Sequence, residues 1–408
     1  MPGFALRNRG CMPASTPTAC VMRMLRAFPP SRRIAVCRLP GYADGVPDLS
    51  STERGAMDFD AINAQIDPLD QAAMKRAVDH WNVTFKPIGG LGVLEDIIVQ
   101  IAGITGDERV CLDKRIGIPM CADNGVVEEG VTQTDQAMTA IVTANMGKGL
   151  SSVCVMGRIA NMDVRPVDVG IAGDEPLEGV LDRKIMRGTN NMARGPACTR
   201  EQVEQAIQVG IDMVGQVKAE GYKIVVSGEM GIGNTTTCSA VASVLLGMDP
   251  ETVTGRGAGL SSAGLERKVA AIKRAIELNR PDCDDAVDVI AKVGGLDIAA
   301  MMGTFLGGAI HRVPVLIDGA ISSVAALCAV RACPASRCAM IATHASSEPV
   351  ALAVMEELGL RPVIDAKLHL GEGTGAVCLL PMLDMALVVY DGVSFGTMEL
   401  EAYEVDPQ

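Results

Sequence analysis

One carboxylate stands among residues with almost no side chain in Leu370-Gly371-Glu372-Gly373-Thr374-Gly375-Ala376, and the chain turns apolar again beyond it. A Glu flanked by glycines is placed by backbone rather than by packing, which suits a catalytic base. The same glycines also serve plain turns and helix ends. A second carboxylate, Glu229, lies in Gly228-Glu229-Met230-Gly231-Ile232-Gly233-Asn234-Thr235-Thr236-Thr237, between the apolar run Ile224-Val225-Val226 and Ala240 to Leu246. This spacing predicts a strand-to-helix turn that holds a phosphate. Gly231 and Gly233 let backbone approach an anion, the first helical N–H groups donate to it, and Asn234, Thr235 and Thr236 add polar contacts. Plain N-capping by Asn234 or Thr235 is the alternative. The turn lacks the Lys of a P-loop, which disfavours an ATP site of that kind.

Two further stretches have similar composition. Gly255-Arg256-Gly257-Ala258-Gly259-Leu260 precedes a helix and is superficially a dinucleotide fingerprint, but Met248-Asp249-Pro250-Glu251 before it does not read as a strand, so hydride transfer is disfavoured. In Gly294-Gly295-Leu296-Asp297, the Asp297 carboxylate accepts from ribose hydroxyls in one reading and N-caps the helix from Ile298 to Leu306 in the other.

With Lys86-Pro87-Ile88-Gly89-Gly90-Leu91-Gly92-Val93-Leu94-Glu95, these segments resemble the nicotinate-nucleotide:dimethylbenzimidazole phosphoribosyltransferases, in one order from about Asp67 to Ser394. The resemblance implies that an aromatic base attacks C1' of nicotinate mononucleotide, nicotinate departs, and the configuration inverts from β to α. Glu372 would take the proton that the attacking imidazole must lose. Leu370 and Met230 would supply an apolar surround that raises its pKa. Glu229 matches a second family carboxylate, either a proton relay or a structural group. Lys268 aligns with a family lysine near the nucleotide phosphate, the alternative being a solvated helix lysine. Ser346, Gly257, Gly371 and Gly373 complete the expected substrate contacts. Where the family usually reads Asp-His-Gly, this chain has Asp123-Asn124-Gly125. Acceptor choice is therefore sought at Asn124 and in Thr132 to Gln136. Adenine, benzimidazole or phenols are alternative acceptors, and a non-catalytic nucleotide-binding paralogue is the reading from another class. Transfer from phosphoribosyl pyrophosphate would need a strand-borne acidic pair before a Gly/Thr loop, which is lacking. The resemblance also implies a homodimer.

Composition narrows the partners. A net charge of -13 repels a phosphate backbone, and 3% aromatic residues leave few stacking platforms, so nucleic acid is not expected. Thirteen cysteines include no Cys-x-x-Cys pair and sit mostly in apolar stretches, reading as buried hydrophobes of a reducing cytoplasm. Cys328, Cys333 and Cys338 recur every five residues, which spreads them around a helix, and the four histidines make no His-x-x-x-His pair. Neither a metal nor a cofactor is expected. No apolar run reaches the roughly 20 residues of a membrane span.

The elements that must position these residues follow from periodicity. Residues 1–56 are Arg-rich and acid-poor without a sustained pattern; they read as a start assigned ahead of Met57 or as a transit peptide, outside the fold in either case. Deleting them should leave the thermal midpoint unchanged. Leu69 to Val78 and Leu91 to Ala102 have helical spacing around the Lys-Pro-Ile-Gly-Gly-Leu-Gly turn. Short β-branched runs at Val164 to Val169, Lys223 to Ser227, Val313 to Ile317, Ala339 to Ala342 and Leu387 to Tyr390 alternate with longer amphipathic stretches. The expected fold is α/β: a Rossmann-like, mostly parallel sheet flanked by helices, with a smaller helical part from about residues 57–110 and the C-terminal segment. Ligands then bind beyond the carboxyl ends of the strands, where the loops carrying Glu229, Asp318 and Ser346 fall.

Overall fold

The computed structural model describes residues 56–403. The readings of the Arg-rich leader concern residues outside that range, Ala56 aside. Among the described residues, seven strands form one sheet: β1 Arg115–Ala122, β2 Met162–Val164, β3 Val167–Gly170, β4 Leu181–Asp182, β5 Ile224–Met230, β6 Val315–Ile317 and β7 Met340–Ala342. Every pairing is parallel and the order is β4-β3-β1-β5-β6-β7, with β2 beside β1. A parallel sheet needs crossovers on its faces, so its strands are buried on both sides. All eight residues of β1 are buried accordingly.

The side chains of β5 alternate between two cores. Val225 joins a cluster with Val315, Ile317 and Met340 under the helices Arg200–Ala219, Asn234–Leu246, Leu296–His311 and Ala320–Ala332. Ile224 and Val226 join the other with Leu316 and Ile341, under Gln71–Val83, Val93–Thr105, Ser152–Ile159 and Leu380–Tyr390. The N- and C-terminal helices thus share a core with one face of the sheet, Trp81, Ile98, Leu383 and Tyr390 all lying in it. Local signals set the helix ends: Asp70 Oδ1 accepts from Ala73 N at 2.9 Å, Thr199 and Gln202 make a capping box, and Gly106 closes Val93–Thr105 at φ 76°.

Two of the expected strands need correction. Leu387 to Tyr390 is not a strand but the last turn of the helix Leu380–Tyr390. Leu383, Ala386 and Tyr390 are its buried residues, at helical spacing, which a four-residue apolar run cannot display. Val164 to Val169 is not one strand; it breaks at Arg165-Pro166 into β2 and β3. The central strand β1 is missing from the β-branched runs named above, because Gly117 and Pro119 disguise it. Pro119 is tolerated where the neighbour of β1 changes: residues 115–117 pair with β2 and 120–122 with β3.

Candidate functional site

The carboxyl ends of β5, β6 and β7 open into a cavity of ≈ 420 Å³, within the usual range of about 300–1,000 Å³ for small-molecule sites. Glu229 ends β5, Asp318 follows β6, and His344 and Ser346 follow β7; residues 368–375 close one wall.

Glu372 owes its position to backbone. Gly371, Glu372 and Gly373 are three consecutive left-handed residues at φ 87°, 63° and 97°. That conformation costs a non-glycine residue about 1–2 kcal/mol, so the loop must be held. Asp318 holds it from below, accepting from Gly373 N at 3.2 Å and from Ala376 N at 2.9 Å. Glu229 accepts from the Glu372 backbone N–H. The packing leaves no room for side chains: a Cβ on Gly371 would lie 2.7 Å from Glu229 Oε1, and one on Gly375 would overlap the His344 ring. The Glu372 side chain reaches across the cavity wall, and its Oε2 accepts from Val153 N at 3.0 Å. Val153 is in the first turn of Ser152–Ile159, the end of a helix that suits an anion. The expected apolar surround is thin, because Leu370 sits on an exposed loop tip at 57% exposure and Met230 is only half-buried.

Behind this wall lies a buried polar network. The Asn234 amide donates to Glu229 Oε2 and, at 3.1 Å, to Asp297 Oδ2. Burial, then the Asp297 charge, pushes Glu229 up to about 8, against the Asn234 hydrogen bond. Burial likewise pushes Asp297 up to about 6, opposed by Asn234. Burial thus favours the protonated form of both carboxyl groups, which share the Asn234 amide between them. Asn124, wholly buried, lies against Asp297 and accepts from Thr237 Oγ1 at 3.5 Å.

A third group faces the glycine-rich turns. Lys268 is wholly buried, so it is not a solvated helix lysine; Nζ donates to Thr235 Oγ1 at 2.9 Å and to Gly255 O at 3.1 Å. Burial holds its amine below the ordinary lysine range, and the charge of Glu348 opposes that shift. Glu348 Oε1 accepts from Gly257 N at 3.1 Å.

Of the residues singled out from sequence, Glu229, Met230, Gly231, Asn234, Thr235, Gly257, Ser346, Leu370, Gly371 and Glu372 line the cavity. Five stand behind it. Gly233 caps Asn234–Leu246 at φ 92°, Thr236 is buried in that helix, Gly373 faces Asp318, and Lys268 supports Thr235. Asp297 is also behind, and it is not the N-cap: Gly295 is, and Asp297 Oδ1 accepts from Ile298 N within the first turn. Asn124 and Thr132 to Gln136 do not line the cavity either. Sequence reasoning passed over His344, Glu348 and the start of Ser152–Ile159. Only Thr343-His344-Ala345-Ser346 after a strand hinted at the first two, and nothing local pointed to the third, 219 residues from Glu372.

Comparison with known proteins agrees in one direction. Residues 66–397 match a family model described as Phosphoribosyltransferase. The chain is 45% identical over 341 residues to a protein of Acetivibrio thermocellus named nicotinate-nucleotide--dimethylbenzimidazole phosphoribosyltransferase, covering 83% of this chain and 95% of that one. A protein of the same name from Ruminiclostridium cellulolyticum is 44% identical over 346 residues, covering 85% and 98%. The crystal structure of CobT from Thermus thermophilus superposes with a TM-score of 0.77 at 35% identity, covering 81% of this chain and 99% of that one.

Proposed function

The chain belongs to the phosphoribosyltransferase family of these relatives, and on that premise we propose how its cavity carries out the transfer. The enzyme moves the phosphoribosyl group of nicotinate mononucleotide to 5,6-dimethylbenzimidazole, releasing nicotinate and forming the α-ribazole 5'-phosphate. Glu372 is the general base that takes the proton from the attacking imidazole. The observation that carries this is the loop Gly371–Gly373, which spends backbone strain and two buried carboxylate anchors to hold one side chain at the cavity wall. Glu229 acts from beneath: its own burial favours the protonated form, and it fixes the Glu372 backbone so that the Glu372 side chain stays at the open wall. Asn234, Thr235, Gly257 and Ser346 line the nucleotide end, with Lys268 behind Thr235. Holding both reactants in line converts a bimolecular step into a unimolecular one.

Adenine, benzimidazole and phenols remain competing acceptors, since a methyl group shifts discrimination by only about 1–3 kcal/mol. The working unit is a homodimer in the cytoplasm; the exposed Ile159 and Val388, at 84% and 74%, support a contact between copies. The test is chromatography of nicotinate released from nicotinate mononucleotide with 5,6-dimethylbenzimidazole, adenine, p-cresol or no base. Base-dependent release with an α-linked product is expected. Tight nucleotide binding without release under any condition would point to a binding paralogue.

A further inference from the structure

The glycine nest at the nucleotide end of the cavity is already filled by an anion of the protein itself. Gly255 and Gly257, the latter at φ 53°, present bare backbone. The Glu348 carboxylate lies on that backbone: Oε1 accepts from Gly257 N at 3.1 Å, and a Cβ on Gly255 would overlap Oε2. The buried Lys268 amine stands close enough for the charge of Glu348 to favour its protonated form. Thr235, Gly257, Ser346 and Glu348 all line the cavity. An N–H in a glycine turn, backed by a cation and a hydroxyl, is what a phosphate oxygen would seek.

We propose that Glu348 is a resident stand-in for the substrate phosphate, occupying the Gly255–Gly257 nest in the empty enzyme and giving it up when a phosphorylated ligand enters. This deepens the transferase reading and rests on it. The physical reason for such a device is that Lys268 is wholly buried, and a buried cation without a counter-charge is costly. Glu348 provides that charge without a ligand, so the nest keeps its shape between turnovers. The consequence is competition. A nest filled nine-tenths of the time lowers apparent affinity about tenfold, and a departing phosphorylated product meets the same competitor. A carboxylate that merely staples the 255–260 loop to the 346–349 loop would have no such effect.

The test uses the full chain with Glu348→Gln, which keeps an acceptor for Gly257 N but no charge, and Glu348→Ala, which empties the nest. Calorimetry measures dissociation constants for nicotinate mononucleotide, for nicotinate riboside, which lacks the phosphate, and for inorganic phosphate. The expected result is nucleotide and phosphate binding about five- to tenfold tighter in both variants, with riboside binding changed less than about twofold. Nucleotide affinity that is unchanged or weaker in both variants, while wild-type enzyme turns over, overturns the role of Glu348 and leaves the transfer standing. A wild-type enzyme without turnover removes the transferase reading instead.

Discussion

At the scale of single residues, two carboxylates in one cavity differ in what surrounds them. Glu372 lies at the cavity wall with its side chain on a helix N-terminus, whereas Glu229 is buried beside Asp297. The Glu372→Gln variant keeps an oxygen for Val153 N, so nucleotide affinity should stay within about threefold while kcat falls at least about a hundredfold; steady-state turnover paired with calorimetry reads both, and near-normal turnover would remove Glu372 from the mechanism. Glu229 and Asp297 make a stability prediction. Their folded values, about 8 and about 6, lie above the ordinary 4.5 and 3.8. From about pH 4 to pH 8 the native state thus binds more protons than the unfolded one, and stability falls as pH rises through that window. In Glu229→Gln the part of the fall between about pH 6 and pH 8 should largely vanish. Thermal melts across pH would read it, and an unaltered slope would mean that Glu229 does not hold its proton.

At the scale of elements, the site depends on contacts that only small or carboxylate residues permit. Asp318 takes two backbone N–H groups of the Glu372 loop. The Asp318→Asn variant turns one acceptor into a donor that faces an N–H. This should cost about 1–3 kcal/mol in urea unfolding and lower kcat by roughly tenfold or more as Glu372 drifts, since a shift of about 1 Å can cost a hundredfold. Deeper in the fold, the helices Arg200–Ala219 and Leu296–His311 cross where a Cβ on Gly303 would overlap Ile207 O and one on Gly210 would overlap Ala300 O. Glycine to alanine in an open helix normally gains about 1 kcal/mol; here Gly303→Ala should lose about 1–3 kcal/mol by overpacking. A stabilised Gly303→Ala protein would show that the two helices separate freely.

At the scale of the whole molecule, the sheet gathers at one end groups that the chain spreads from Val142 to Gly375. The same architecture leaves apolar side chains outside: Ile159 at the end of Ser152–Ile159 and Val388 on Leu380–Tyr390, whose helices are tied through Arg115, donating to Ala160 O at 3.0 Å and to Asp384 Oδ2 at 2.9 Å. If these side chains form the proposed contact between copies, the Ile159→Asp/Val388→Asp variant should halve the mass seen in light scattering at micromolar concentration; an unaltered mass would remove this face from the proposed dimer.

What the sequence determined by itself were the short-range features. The strand-to-helix turn at Gly228–Thr237, the caps at Asp70 and Thr199, the helices around Gly89–Gly92 and the isolated Glu372 are all written in a dozen residues or fewer, because propensity and capping act over one or two turns. What the tertiary structure decided was which carboxylates touch. That Glu229 is the one buried beside a second carboxyl group depends on Asp297 meeting it across 68 positions of chain. That Leu387–Tyr390 is helical and Arg115–Ala122 is the central strand likewise depends on long-range neighbours. Burial and charge pairing are properties of the packed whole, and no local window carries them.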